Sequence, residues 1–180
     1  ITLYSHWTAN KYTITFNNDG GQNSTTTKEV TYGEKYGTLP TPTKTGATFN
    51  GWYTQLSGGS RVGGAGESYT PSSTTTLFAQ WNEVQYTLTV NPNSGTWNGS
   101  SSSQTLNGTY NSTKTISNPT APNGDTVTLN DNGRTNSIVQ TKTFSRWINS
   151  GSGNIRDNTT YTFGNGDGTL TAEYTANVVT

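Results

Sequence analysis

The chain carries one histidine, five aspartates, five glutamates and no cysteine, and these residues bound the chemistry it could perform. A catalytic histidine needs a partner within hydrogen-bond reach. No partner for His6 is apparent, and no G-x-S-x-G elbow or cysteine supplies a nucleophile. Glycoside hydrolysis needs two carboxylates facing each other across a cleft, whereas the ten acids here are scattered through turns. The glycines fall in turn pairs and not in a phosphate-cradling loop that opens a helix. His6 therefore reads as a surface residue, no catalytic residue is assigned, and the chain reads as non-enzymatic.

Asp19, Asp125, Asp131, Asp157 and Asp167 all sit among asparagines and glycines. A calcium site needs several converging oxygen ligands. GNGDG at Gly164 to Gly168 and NDNG at Asn130 to Gly133 could supply a few, but neither has EF-hand spacing. Turns closed by Asx side chains are the plainer reading, so no metal and no cofactor is assigned. One binding candidate remains: Trp97, inside NPNSGTWNGSSSS. An exposed indole there could stack on a sugar ring or fill a partner's pocket; the competing reading is a tryptophan folded back over its own module.

Composition narrows the partners. Of 180 residues, 27% are hydrophobic and 11% charged, while threonine alone supplies 38 and asparagine 21. Such a chain cannot build one large core, yet 20 aromatic residues at zero net charge argue against disorder and for several small aromatic cores. The balanced charge lacks the basic footprint of nucleic-acid or anionic-membrane binding. No run approaches the roughly 20 apolar residues of a membrane span. The absence of methionine, even at position 1, is expected of a piece of a longer precursor.

The elements that would position any site come from an internal repeat. TLYSHWTANKYT at Thr2 to Thr13 returns as TLFAQWNEVQYT at Thr76 and as TLTAEYTANVVT at Thr169. Trp7 to Trp81 and Tyr12 to Tyr86 are both 74 residues apart, and Tyr174 lies 93 residues after Trp81. Each unit thus ends in a closing strand and restarts after a joint, and the second unit is the longer one. The boundaries that follow are 1–9 for an upstream closing strand and joint, 10–82 and 83–175 for two units, and 176–180 for a joint onward. The short joints, Thr8 to Lys11 and Asn82 to Gln85, leave little room for independent motion.

Alternation marks the strands. Tyr12, Ile14 and Phe16 share one face, as do Tyr86, Leu88 and Val90. In the closing strands the core sets are Leu3, Ser5 and Trp7; Leu77, Ala79 and Trp81; and Leu170, Ala172 and Tyr174. Tyr4 and Phe78 fall on the outer face. Asn-Gly turn signals recur, no window has helical periodicity, and LPTPTKTG at Leu39 to Gly46 can hold only a turn or crossover loop. FNGWY and FSRWI place Phe and Trp three apart, which calls for a bulge near Gly51 or Arg146. TVTLNDN at Thr126 to Asn132 predicts an enlarged sheet or an added hairpin in the second unit.

The blocks YTITFNNDGG, VTYGEK, LPTPTKTGATFNGWY and TLFAQW, in that order over Tyr12 to Trp81, closely resemble the Listeria-Bacteroides repeat, the B-repeat of internalin-type surface proteins. The second unit resembles a divergent, longer variant. The resemblance implies a mainly β fold of tandem β-grasp-like modules with little or no helix, carried on secreted or wall-attached bacterial proteins. It implies structural roles for Tyr12, Phe16, Gly21, Tyr32, Gly33, Pro42, Gly46, Phe49, Gly51, Trp52 and Trp81; Ala47, where the family usually has an aromatic, departs from it. Two functions follow: a spacer that presents other domains from a bacterial surface, with neighbouring repeats as its partners, or an adhesion module that itself binds a host glycan or matrix protein.

Overall fold

Strand formation follows the period-2 burial of apolar side chains. In a computed structural model describing residue 3 and residues 6–35 and 37–177, no helix occurs among the described residues and fourteen strands do. The chain divides into two units, Ile1–Val84 and Gln85–Thr180.

In the first unit β1 (Lys11–Asn17), β2 (Thr27–Thr31), β3 (Ala47–Tyr53), β4 (Arg61–Gly63) and β5 (Thr75–Glu83) form one sheet in the order β2-β1-β5-β3-β4. The first and last strands, β1 and β5, pair in parallel at its centre, and the other pairings are antiparallel. A parallel pair requires a crossover. The described residues of 32–46 begin it without helix, as the two prolines dictate, and Leu39 and Pro42 are buried within it. Ile14, Phe16, Val30, Leu39, Trp52, Leu77 and Ala79 make the core.

The second unit repeats this order with additions. β6 (Gln85–Asn91), β7 (Gln104–Thr109), β11 (Thr141–Gly151) and β14 (Gly168–Asn177) form a sheet in the order β11-β14-β6-β7, with β6 and β14 again parallel at its centre. A three-stranded sheet of β8 (Thr113–Thr115), β12 (Asn154–Arg156) and β13 (Thr160–Thr162) brings Tyr161 and Phe163 into the core beside Leu88, Val90, Trp147, Leu170 and Ala172. The inserted segment makes its own hairpin, β9 (Thr126–Asp131) with β10 (Arg134–Val139).

Both bulges fall where the Phe-x-x-Trp spacing demands them. The register shifts between Phe49 and Gly51 and between Phe144 and Arg146. One extra residue then lets Phe49 meet Trp52 at 5.5 Å and Phe144 meet Trp147 at 5.4 Å between ring centroids. The two tryptophans differ in one respect. Trp52 Nε1–H donates to the Pro40 carbonyl at 2.9 Å, whereas the buried Trp147 Nε1 has no partner among the described residues.

The core sets hold except at the N-terminus. Ile14, Leu77, Ala79, Leu88, Val90, Leu170 and Ala172 are fully buried, while Tyr12, Tyr86, Trp81 and Tyr174 are half-buried. Leu3 and Trp7, expected in a closing strand, are instead 91% and 87% exposed, and none of the described residues before Lys11 is in a strand. The closing position in the first sheet is already occupied: β5 lies between β1 and β3, so the N-terminal copy of the motif has no slot to fill. Tyr4 and Ser5 lie outside the described residues.

One arrangement recurs in both units. Trp81 Nε1–H donates to the Asn18 carbonyl at 3.1 Å, and the matching Tyr174 hydroxyl donates to the Pro92 carbonyl at 2.6 Å. The same two carbonyls also accept the amides of Gly21 and Gly95, and the bridge that follows pairs Gln22 with Thr43 in one unit and Thr96 with Thr120 in the other. Both glycines are there for close approach: a Cβ on Gly21 would collide with the Trp81 ring, and one on Gly95 with the Tyr174 hydroxyl. Gly21→Ala and Gly95→Ala should therefore each cost about 1–3 kcal/mol through overpacking, read as a lowered urea midpoint followed by fluorescence; an unchanged midpoint would contradict the shared closure.

Candidate interaction surface

Each main sheet buries one face in its own core and turns the other outward, and directly opposed residues share a face. In the first unit the outer face carries Thr27, Thr15 and Thr76 in one cross-strand row. Beside it stand Tyr53 and Phe78, paired across β3 and β5 and half-buried. Asn50 Nδ2 donates to the Tyr53 hydroxyl at 3.1 Å, and Gln80 Nε2 donates to the Gln55 and Gly58 carbonyls at 3.1 and 2.7 Å. In the second unit Thr105, Thr89, Thr169 and Ser150 form the matching row. Ile148, 45% exposed, flanks it, and an Arg146–Glu173 ion pair closes at 2.6 Å.

Chemically these rows offer uncharged hydroxyls that both donate and accept, with one aromatic pair in the first unit. They provide no acid–base couple. The first unit also has an open polar hollow of about 660 Å³ bordered by Asn23, Thr25, Lys28, Thr38, Pro40 and Thr41. Nearby on β4, Arg61 reaches Glu67 at 3.0 Å, and the hydrogen bond from Arg61 holds the Glu67 carboxyl below its usual range. In the second unit, burial pushes the Tyr161 hydroxyl up, with the Asp167 charge adding to the effect.

Trp97 is not where an exposed binding residue would be. It is 3% exposed within the core of the second unit, and its Nε1–H donates to the Ser117 carbonyl at 3.0 Å. Gln104 Nε2 donates to the Trp97 carbonyl at 2.7 Å. The indole is folded back over its own module with its N–H bonded to Ser117, and the buried ring presents no face to a sugar. His6 is exposed. Asp167 Oδ1 accepts the Thr87 amide at 2.8 Å and Asn165 Oδ1 accepts the Tyr86 hydroxyl at 2.6 Å, so two side-chain oxygens of the GNGDG turn are used within the unit. The side chain of Asp131, in NDNG, lies outside the description. Among the described residues no group of three or more His, Cys, Asp or Glu is placed to hold a metal ion.

The outer hydroxyl rows went unnoticed in the sequence because threonine is everywhere in it; only the register shows which threonines align. Tyr161 and Phe163 were likewise missed, although Thr160-Tyr161-Thr162-Phe163 does alternate.

Residues 12–80 match the Listeria-Bacteroides repeat domain. That match falls within the first unit. Among curated proteins the chain is similar to Internalin H of Listeria monocytogenes, 41% identical over 93 residues that make up 52% of this chain and 15% of that protein. It is also similar to two proteins of Evansella cellulosilytica. One, provisionally described as a membrane protein, is 33% identical over 97 residues, 53% of this chain and 14% of the relative. The other, provisionally described as a Gly-rich membrane protein, is 34% identical over 107 residues, 52% and 12%. The chain thus spans only a small part of the length of these relatives. No solved structure matches it.

The location of Trp97 makes it a folding residue. Trp97→Ala should destabilise the second unit by about 3–5 kcal/mol, the usual cost of emptying a buried tryptophan site, measured by chemical denaturation. Unchanged stability would show that the indole is not a core member.

Proposed function

We propose that this chain is a non-enzymatic tandem-repeat segment of a bacterial surface protein, acting as a spacer that presents other domains. The observation that carries this is the repetition of one self-contained closure: in both units the first and last strands pair in parallel and the closing aromatic caps the first turn. The Listeria-Bacteroides repeat at residues 12–80 and the similarity to Internalin H support a surface setting, secreted or wall-attached. The shared strand order supports taking the second unit as a longer variant of the first, with working boundaries 10–82 and 83–175. The central parallel pair supports a β-grasp-like module whose crossover is a loop.

The adhesion alternative loses its main support with the burial of Trp97. What is left for it is the half-buried pair Tyr53 and Phe78, which could meet a sugar ring. Two measurements separate the readings. On arrays of host glycans and matrix proteins the purified chain should show no saturable binding. In cells displaying an epitope beyond one to four copies of residues 10–82, antibody access should rise with copy number. Saturable binding that Tyr53→Ala or Phe78→Ala abolishes without unfolding the chain would replace the spacer account with an adhesive one.

A further inference from the structure

Six Asn-Gly pairs occur, at Asn50, Asn98, Asn107, Asn123, Asn132 and Asn165. In such a pair the glycine nitrogen, unshielded by a side chain, can attack the side-chain amide of the preceding asparagine. The fold separates the six by how firmly it holds the two reacting groups. Gly51 and Gly108 are buried within strands, and the Phe163 ring presses on Gly108. Asn50 is tied to Tyr53 and Asn165 to Tyr86. Gly124 is packed against the Gln140 carbonyl.

Asn98-Gly99 and Asn132-Gly133 share a different geometry. Both residues of each pair have positive φ, 47° and 78° in one and 47° and 81° in the other, as a two-residue type I′ hairpin turn requires. Both pairs are exposed. The first is anchored: Trp97 and Ser100 exchange hydrogen bonds at 2.8 and 3.0 Å across it, with the Trp97 ring in the core. The second caps the β9–β10 hairpin, a two-stranded sheet with no third strand among the described residues. Such a hairpin has little stability of its own, so its tip opens at low cost. Open space surrounds Gly133, and no side-chain hydrogen bond holds Asn132 among the described residues.

We propose that Asn132-Gly133 is a site of spontaneous self-modification, in which water is the only co-reactant. The Gly133 nitrogen loses its proton to water or hydroxide and bonds to Asn132 Cγ. The bond from Cγ to the side-chain nitrogen breaks, and that nitrogen takes up a proton and leaves as ammonia, so a cyclic imide remains. Water then opens the ring. Cleavage between Cγ and the Gly133 nitrogen gives aspartate; cleavage at the backbone carbonyl gives isoaspartate, whose main chain is one methylene longer. No redox change occurs. Either product adds one negative charge to a chain whose ten basic and ten acidic residues balance, and the lengthened isoaspartate backbone no longer fits a two-residue turn.

The test is incubation of the whole chain at mildly alkaline pH, with peptide mapping by mass spectrometry to resolve the gain of about one mass unit at each asparagine. In native buffer Asn132 should convert fastest, about tenfold ahead of Asn107, with Asn98 between them. In guanidinium chloride the rates should converge to within about twofold, since the fold no longer ranks the sites. An Asn132→Ser variant should lose the earliest acidic species on isoelectric focusing. No conversion at Asn132, equal native rates at all six sites, or a lead that persists in denaturant would overturn the proposal.

Discussion

One backbone carbonyl, placed just past the first strand of each unit, receives the polar end of the closing strand's aromatic. A chain with 27% hydrophobic residues has few large side chains to spend, so Trp81 and Tyr174 each serve twice, packing a half-buried ring against the core and tying the last strand to the first turn. The glycine that lets the ring approach, the Asx bond that shapes the turn (Asp19 amide to Asn17 at 3.0 Å, Asn93 amide to Asn91 at 2.9 Å) and the bridge to the crossover are all arranged around that carbonyl. The parallel central pair makes this closure necessary. Strands β1 and β5 are joined only through the whole intervening chain, and loop-closure entropy opposes their meeting.

With most large apolar side chains committed to the inner faces, the outer faces carry rows of hydroxyls beside Tyr53, Phe78 and Ile148. Each unit holds its own hydrophobic cluster. The second unit is longer mainly through the segment that holds the β9–β10 hairpin, while the β6–β14 pair keeps the form of the β1–β5 pair in the first unit. Insertions at exposed connections are tolerated in this way because they leave the paired backbone untouched.

Local alternation made Ile14 with Phe16, Leu77 with Ala79 and Leu170 with Ala172 legible, since period 2 alone says which side chains face together. The Phe-x-x-Trp spacing exposed both bulges, and TVTLNDN exposed the hairpin. What could not be read depended on distant partners. Leu3 and Trp7 carry the closing pattern, but a pattern cannot say whether a first strand is available to receive it. Trp97 sits in a turn-rich segment, and its burial depends on the Ser117 carbonyl 20 residues away. The outer threonine rows exist only in the register, because any one of the 38 threonines looks like the rest.

The most direct test of the closure is native-state hydrogen exchange on the whole chain, followed by fragment mass spectrometry. If first and last strands close each unit, amides of β1 and β5 should be the slowest in the first unit and lose protection together as denaturant is added, and β6 and β14 should do the same in the second. Rapid exchange of β5 or β14 while β1 or β6 stays protected would contradict it.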